Sequence, residues 1–443
     1  MDLEGFKGAI ANLETIIDPT QVAKLSQDCY QFSPILRSKL MGKVGDLVVR
    51  PKTETDILQV AAACVEFKLP LIVRGAGTGN SGQCVPLQGG IILDMTQMNR
   101  ILRIEPGQAR VESGATLAAI DRQARAIGWE LRTIPSTFRT ATIGGFIAGG
   151  IGGLGSITYG LLAERGNLHA LRAIALEDTP RSIEFRGDAV QQLKHAWGIN
   201  GIITELEIPL APAYPWAEAI VCFEDFMAAV RFGQALALAD GLMKKLICVC
   251  AWPIPAYFAP LQSRIPEGSH CVLLMVSEAC MESLQGLIQD HSGQICYGKS
   301  AEEASKGITL AEFSWNHTTL HARSVDPSLT YLQTTFPADP SLQLVEQLYH
   351  HFGNEVMMHL EFIRVNGVVV PAGLQIVRFT TEERLSEIIQ YHQAQGISIA
   401  NPHICCLEAG GHKQVDRSQL QFKQRMDPYG LLNPGKMRSE STM

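Results

Sequence analysis

Residues 71–82, LIVRGAGTGNSG, constrain this chain most, because an apolar strand runs directly into a turn that is rich in glycine. Gly75, Gly77, Gly79 and Gly82 allow positive φ and place no side chain between the backbone and a ligand. Successive N–H groups in such a turn can point into one concavity that binds anionic oxygens. The segment therefore predicts a loop that holds a pyrophosphate.

The same glycines match the dinucleotide pattern G-x-G-x-x-G, which is informative only where the glycines end a strand and open a helix. A strand is predicted over residues 69–74, but a proline, two more glycines and the apolar segment IILDM follow instead of a helix. The sequence also lacks an acidic residue at the position that would bind a ribose hydroxyl. We therefore do not expect NAD in this loop.

Composition excludes several classes of protein. The chain has 443 residues, 46% of them hydrophobic and 18% charged, which is typical of two or three globular domains. A net charge of −7 argues against nucleic-acid binding, which needs a basic surface. The sequence shows no signal peptide and no transmembrane segment, so we expect a cytoplasmic protein, peripheral to a membrane only through a partner.

The cysteines predict neither disulfides nor a cluster. There are eleven, an odd number, without a C-x-x-C pair. We expect scattered buried thiols in a reducing compartment, and the spacing required by an iron–sulfur cluster is missing.

A second glycine-rich region, PSTFRTATIGGFIAGGIGGLGSITYG, occupies residues 135–160. A flexible linker is one interpretation, but linkers are usually polar, whereas Ile, Phe, Leu and Tyr alternate with the glycines here. Close approach of the backbone to a large planar or anionic ligand explains the composition better.

Periodicity predicts an α+β fold. A helix over residues 56–68 begins after Thr53 or Thr55, a hairpin spans residues 101–112, and an amphipathic helix ends at Gly128. Composition changes at the proline-rich segment APAYPW, after which strand–helix units predict a second domain.

Four motifs occur in a fixed order: RGAGTGNSG, PSTFRTATIGG, NGIITELEIPL and DPYGLLNPGK. In this order they resemble FAD-binding oxidoreductases of the vanillyl-alcohol-oxidase type, in particular glycolate dehydrogenase flavoprotein subunits and D-lactate dehydrogenases. The resemblance implies a PCMH-type FAD-binding domain of two subdomains and a smaller α+β substrate or cap domain. The implied division is an N-terminal helical segment (1–44), the FAD domain (45–212), the cap (213–400) and a C-terminal segment (401–443) that returns to the FAD domain.

The resemblance also assigns residues to the cofactor. Those that would wrap the pyrophosphate are Arg74, Gly75, Gly77, Thr78, Gly79, Asn80 and Ser81. Those that would lie along the ribityl chain and the flavin are Pro135, Ser136, Thr142, Gly144 and Gly145. Ile203 would contact the adenine end, and Asn433 would reach back toward the cofactor. Relatives that tether FAD carry a histidine where this chain has Thr78, so a non-covalent FAD is expected.

The candidate catalytic residues lie in the second half of the chain. In WNHTTLHARS, His317 and His321 would share one face of a helix, and we favour His317 as a base or substrate ligand because it is nearer Trp315. The alternative is a helix edge packed under a loop. Relatives carry an arginine that clamps the substrate carboxylate soon after the tryptophan, but the nearest arginine here is Arg323.

Two strand arginines, Arg364 and Arg378, are candidates to replace that clamp, with Glu361 as a partner of Arg364. The alternative is that both arginines face solvent. Lys436, in the last motif, could lie near the flavin, although an exposed lysine in a tail is the default.

The segment NPHICCLEAGGHKQVD contains His403, Glu408 and His412, but it lacks the paired-histidine metal motif of the resembled branch. No metal is therefore predicted. The base is left open among His317, His403 and His412, with His317 and His403 preferred.

Three functions follow. The first is FAD-dependent oxidation of a small 2-hydroxy acid of the glycolate or D-lactate type, with hydride transfer to flavin N5 and electrons passing to an iron–sulfur protein, a quinone or oxygen. The second is oxidation of a sugar alcohol, an aldose or an aromatic alcohol. The third is a flavin-carrying subunit of a larger dehydrogenase complex.

Overall fold

The computed structural model describes residues 2–438. The first layer is a four-stranded sheet in the order β1-β2-β4-β3, in which β2, β4 and β3 are parallel. Its elements are α1 (Leu3–Ala9), β1 (Glu14–Ile16), α2 (Pro19–Leu25), α3 (Pro34–Leu40), β2 (Leu47–Arg50), α4 (Glu54–Phe67), β3 (Leu71–Arg74) and β4 (Ile91–Asp94).

An antiparallel sheet follows in the order β5-β6-β10-β8-β9, and β7 also pairs with β10. Its elements are β5 (Ile101–Glu105), β6 (Gln108–Glu112), α5 (Leu117–Arg125), β7 (Trp129–Leu131), α6 (Ile143–Gly149), α7 (Ser156–Tyr159), β8 (Ala170–Ile174), β9 (Ser182–Arg186) and β10 (Ile202–Pro212).

The remaining chain builds an eight-stranded sheet in the order β14-β11-β13-β12-β18-β19-β16-β21 and a small sheet in the order β15-β20-β17. The strands are β11 (Trp216–Phe223), β12 (Lys244–Cys250), β13 (His270–Ser277), β14 (Gln294–Lys299), β15 (Leu329–Tyr331), β16 (Thr334–Thr335), β17 (Val356–Met357), β18 (His359–Val365), β19 (Val368–Gly373), β20 (Ile376–Arg378) and β21 (Ser398–Ile399). The helices are α8 (Phe226–Leu238), α9 (Met281–Asp290), α10 (Ala301–Ala304), α11 (Asn316–Val325), α12 (Ser341–Phe352), α13 (Glu382–Ala394) and α14 (Arg417–Met426).

Local signals account for the predicted elements. Thr53 caps α4 by accepting a hydrogen bond from the Asp56 amide (3.2 Å), and Asp56 bonds back to complete a capping box. Past α5 the chain turns at Gly128 with φ +80°. The predicted hairpin is β5 and β6. The α+β fold class is confirmed.

The second glycine region is packed, as expected, and is not a linker, since Ile143, Phe146 and Ile147 of α6 are buried in the main core. Two expectations need correction. The N-terminal segment is not purely helical, because β1 adds an antiparallel strand beside β2. The cysteines are not all free: Cys222 and Cys296 form a disulfide between the paired strands β11 and β14, leaving nine free thiols.

The sheets change between β10, which ends at Pro212, and β11, which begins at Trp216. We keep the predicted domain boundary there as a proposal. None of the helices in residues 2–438 is long and apolar enough to cross a bilayer.

Candidate active site

A cavity of about 450 Å³ lies where the two glycine regions meet the cap. The carboxyl end of β3 supplies one wall, α6 and its flanking loops a second, and α11 with β16 and β19 a third. The stretches that contribute lining residues are 28–32, 73–84, 135–152, 193–203, 315–320, 333–335 and 372–374, together with Met95, Ser113, Leu161, Ile363, Ala400 and His412.

The first glycine loop lies directly against the second region. A Cβ built on Gly75 would overlap Oγ1 of Thr142. Gly77 has φ +68° and Gly82 has φ +74°, which favour glycine. The two glycine regions therefore form one cradle, as the sequence predicted.

The second region needs glycine for close packing as well. Thr142 caps α6 by accepting a hydrogen bond from the Gly145 amide (3.3 Å). A Cβ on Gly144 would lie 2.6 Å from the Cβ of Ser113, because the Gly144 amide donates to the Ser113 carbonyl at 2.8 Å. α6 thus sits flush on the end of β6, and its backbone lines the cavity.

Of the fourteen assigned cofactor residues, twelve line the cavity. The other two, Arg74 and Asn433, lie behind the residues that line it. The Arg74 guanidinium donates to the carbonyl oxygens of Gln27 and, at 3.4 Å, Ala76, so it braces the loop from below. Nδ2 of Asn433 donates to the carbonyl oxygens of Gln83 (2.8 Å) and Trp197 (2.7 Å). Both residues hold the loops that form the wall.

Lys436 is fully buried, and its ammonium donates to the Gly82 carbonyl at 2.5 Å. The default of an exposed lysine is therefore wrong. The last motif is an anchor for the first glycine loop.

Buried polar atoms without a partner cluster on the lining residues. They are Asp28 Oδ2, Ser113 Oγ, His195 Nε2, Trp197 Nε1, Asn200 Oδ1, Trp315 Nε1, Asn316 Oδ1 and His412 Nε2. Such groups cost free energy unless a ligand or water satisfies them. Together with the glycine cradle, they fit a large nucleotide cofactor that presents both phosphate oxygens and a polar ring.

On the cap side, His317 is in the first turn of α11 and lines the cavity. Burial and the neighbouring His321 lower the pKa of His317 from its ordinary 6.5. His321 does not line the cavity; its Nε2 donates to the Glu312 carbonyl (2.9 Å), and its ring stacks on Phe313. The structure thus separates the two histidines that the sequence placed on one face.

The other two catalytic candidates, His403 and Arg364, do not line the cavity. His403 is buried, with Nδ1 2.8 Å from Ser33 Oγ and Nε2 3.0 Å from the Tyr331 carbonyl, and burial lowers its pKa to about 4. Because both nitrogens are engaged away from the cavity, His403 cannot reach a substrate there without rearrangement.

Arg364 extends outward and pairs with Asp240 at 2.7 Å, so it does not supply the predicted carboxylate clamp. Its outward direction follows from strand alternation, since the adjacent Ile363 lines the cavity. Arg378 pairs with Asp326 at 3.4 Å on the surface.

Several lining residues were not found from the sequence, among them His195 and Trp197. His195 and Trp197 precede the third motif and adopt φ of +47° and +50°. Trp197 contacts His412 with ring centroids 4.9 Å apart. Burial lowers the pKa of His195 to about 3 and that of His412 to about 4. Nothing in the local pattern HAWGING distinguishes them from core residues.

His403, Glu408 and His412 do not converge on one point within the described part of the chain. Oε2 of Glu408 accepts a hydrogen bond from the Arg438 amide (3.1 Å), whereas the other two side chains pack as described above. These residues give no reason to add a metal to the cavity.

The fold and the cavity define a nucleotide-cofactor protein of the flavin-binding class. The family described as "FAD binding domain" matches residues 45–178, so the chain contains an FAD-binding domain of the PCMH type, and FAD is its cofactor. The predicted resemblance to FAD-binding oxidoreductases with a PCMH-type domain is confirmed.

Similar proteins agree with this assignment. The chain is 29% identical over 203 residues to "Glycolate oxidase subunit GlcD" of Escherichia coli strain K12, covering 44% of this chain and 41% of that protein. It is 27% identical over 180 residues to "D-lactate dehydrogenase" of Anaerostipes hadrus, covering 38% and 37%. The matches thus span only about two fifths of these curated relatives.

A solved structure of alkyldihydroxyacetonephosphate synthase superposes with a TM-score of 0.74 and covers 97% of this chain and 85% of its own. The sequence identity is 15%, so this similarity establishes the fold alone.

Proposed function

We propose that the protein is an FAD-dependent oxidoreductase that oxidises a small 2-hydroxy acid of the glycolate or D-lactate type at its CH–OH carbon. One observation carries the proposal: the glycine cradle and His317 line the same cavity. The named activities of the glycolate oxidase subunit and of the D-lactate dehydrogenase supply the substrate class.

FAD bound in the glycine cradle would supply the acceptor for the hydride that leaves the substrate carbon. The residues of the chain itself would bind the cofactor and orient it. Amides of residues 75–81 would hold the pyrophosphate, and residues 142–145 would support the ribityl chain and flavin, with Ile203 toward the adenine. Thr78 has a weakly nucleophilic hydroxyl in place of the imidazole nitrogen that tethering relatives carry, which supports a non-covalent cofactor.

His317 is the proposed base. Its lowered pKa keeps the imidazole neutral near pH 7, so a ring nitrogen can accept the substrate hydroxyl proton. The adjacent Trp315 Nε1 and Asn316 Oδ1 have no partner and could orient the substrate oxygens. The cap thereby brings one proton acceptor and two polar groups to the cavity.

An anaerobic titration tests the proposal. The purified holoprotein is mixed with glycolate, D-lactate and L-lactate, and the flavin absorbance is recorded. Bleaching by one hydroxy acid at low concentration supports the substrate class. A yellow protein that none of these acids bleaches would refute the class and leave the flavin assignment intact.

A second candidate is an uncharged sugar alcohol or aromatic alcohol. No arginine or lysine occurs among the described residues that line the cavity, whereas carboxylates are commonly bound by a bidentate arginine. Asn316, Gln333 and Thr334 offer neutral hydrogen bonds instead. Bleaching by xylitol, sorbitol or a benzylic alcohol, and not by hydroxy acids, would select this candidate.

The third hypothesis concerns assembly. The name of the similar glycolate oxidase protein describes a subunit, which supports an electron acceptor on a partner, either an iron–sulfur protein or a quinone. Substrate bleaching without turnover in air, restored by a soluble quinone, would favour such an acceptor. Turnover in air alone would favour oxygen.

A further inference from the structure

A second polar cluster lies in the cap sheet, outside the cavity lining. Sγ of Cys248 is 3.7 Å from Sγ of Cys250 and 3.3 Å from Nε2 of His359. All the candidate ligand atoms of these three residues lie within 4.8 Å of one another, and all three side chains are fully buried.

Strand register creates the cluster. Cys248 and Cys250 are two residues apart on β12, so both face one side of the sheet, whereas Val249 between them packs in the core on the other side. On the neighbouring strand β18, His359 lies opposite Cys250 and Glu361 opposite Cys248. The backbone hydrogen bonds of two adjacent strands therefore fix the four side chains relative to one another.

The distances suit a tetrahedral zinc ion. Bond lengths of about 2.3 Å to sulfur and about 2.0–2.1 Å to nitrogen give separations of about 3.8 Å between two sulfur ligands and about 3.5 Å between sulfur and nitrogen. The observed separations are 3.7 Å and 3.3 Å. Small movements of these side chains would complete the geometry.

The hydrogen bonds of His359 are also compatible with a metal ion at its Nε2. Its Nδ1 lies 3.1 Å from the Leu374 carbonyl, which can only accept, so Nδ1 carries a proton. Nε2 faces the Glu361 carboxylate oxygen at 3.1 Å and Thr318 Oγ1 at 3.3 Å. A cation between Nε2 and the carboxylate, either a proton that completes an ion pair or a metal ion, satisfies both buried groups. A carbonyl on the far nitrogen is a common partner of metal-bound histidine.

We propose that Cys248, Cys250 and His359, whose ligand atoms already converge, hold a zinc ion. Glu361 lies outside this group of three and would turn its carboxylate toward the two sulfurs to become the fourth ligand. Binding converts both thiols to thiolates and releases their two protons to solvent. Four protein ligands leave no open position, so the site is structural rather than catalytic.

The proposed site connects to α11. Glu361 Oε1 accepts a hydrogen bond from the Trp315 amide at 2.7 Å, and Trp315 immediately precedes this helix. A metal on Glu361 would fix the helix start without touching the cavity. The inference does not depend on the proposed substrate.

Metal analysis tests the proposal. Untagged wild-type protein, purified without chelators from zinc-supplemented cells, should contain about one zinc ion per chain by plasma mass spectrometry. The double variant Cys248→Ser/Cys250→Ser should lose at least about tenfold of this zinc. Cys64→Ser, which removes another buried free thiol on α4, is the matched control and should retain it.

A measurement on the wild type guards against misfolding of the double variant. Refolding with excess Co²⁺ should produce thiolate-to-cobalt charge-transfer bands and the strong visible bands of tetrahedral cobalt, and a mercurial reagent should abolish them. Absence of zinc in the wild type together with absence of these bands would overturn the proposal. Equal zinc in wild type and a folded double variant would also overturn it.

Discussion

The ammonium of Lys436 donates a hydrogen bond to the carbonyl of Gly82 at 2.5 Å, across 354 positions of sequence. Close by, the backbone N–H of Asn433 donates a hydrogen bond to the Leu71 carbonyl at 2.9 Å. The end of the described chain thus braces both the strand and the glycine loop that begin the cofactor cradle. This relationship makes the C-terminal motif part of the FAD site.

Lys436→Met should weaken FAD binding by about 10- to 100-fold, because the loop loses a charge-assisted hydrogen bond of about 1.5–3 kcal/mol while the apolar stem is kept. The dissociation constant measured by flavin fluorescence checks this. Lys306→Met removes an exposed lysine paired with Glu302 and should leave the constant unchanged. Equal affinity of Lys436→Met and wild type would show that the anchor does not support the site.

Gly75→Ala should strongly reduce the fraction of protein that retains FAD through gel filtration. The added Cβ would overlap Oγ1 of Thr142, so the two glycine regions must separate. Gly286→Ala, in α9, is the matched control, since a Cβ there meets nothing within 4 Å. Full flavin content in Gly75→Ala would contradict the close contact of the loops.

The elements that the sequence predicted correctly are those with strong local signals. The capping box at Thr53 and the positive-φ Gly128 each mark a boundary through short-range interactions. β1 and α6 were missed because their local sequence signals are weak. β1 has three residues, and α6 contains three glycines, which disfavour helix until tertiary packing overrides propensity.

Within the site, the backbone-binding residues could be predicted because glycine patterns report close approach. Side-chain roles could not. His317 and His321 share a helix and differ only in what packs around them, and Arg364 faces outward because of strand register. His195 reaches the cavity through a left-handed backbone conformation that no local motif indicates.

His317→Ala should lower kcat by about 10²–10⁴-fold on the substrate found by the bleaching assay, because the proton acceptor is lost. His321→Ala should keep most of the wild-type rate, since that ring is held by the Glu312 carbonyl outside the cavity. Stopped-flow reduction of the flavin isolates the chemical step. Similar rates for both variants would remove His317 from the mechanism.

His317 also sets the expected pH dependence of the rate constant for flavin reduction. As a base, His317 works only when neutral, and its pKa lies below 6.5. The rate constant for flavin reduction in wild type should therefore be level near neutral pH and fall as pH decreases below 6.5. His317→Ala should lose this acidic limb, which a purely structural role would not predict.

His403 should make stability depend on pH. Its pKa is about 4 in the folded protein and 6.5 ordinarily, so the unfolded chain binds a proton below pH 6.5 that the folded chain binds only below about 4. This contribution is complete above 6.5 and is lost as pH falls toward 4, at up to about 1.4 kcal/mol per pH unit. Melting temperatures from pH 7.5 to 5 should fall less steeply for His403→Gln than for wild type. An unchanged slope would contradict the burial of a neutral ring.

Glu130 forms a buried ion pair that connects β7 to β12. It lies on β7, with its carboxylate 3.2 Å from Lys245 Nζ on β12 and 2.9 Å from the indole nitrogen of Trp216. Glu130→Ala should lower the free energy of unfolding by about 3–5 kcal/mol, because Lys245 is left buried without its counter-charge. Urea unfolding followed by tryptophan fluorescence measures the loss.

Two further variants separate the charge effect from simple truncation. Asp188→Ala breaks the exposed pair with Arg165 and should change stability little, since solvent screens that pair. Glu130→Ala/Lys245→Met removes both buried charges and should recover part of the stability lost in the single variant. If the double variant is no more stable than Glu130→Ala, the cost arises from lost packing at β7 or from the lost Arg125–Glu130 pair, and not from an unpaired Lys245 ammonium.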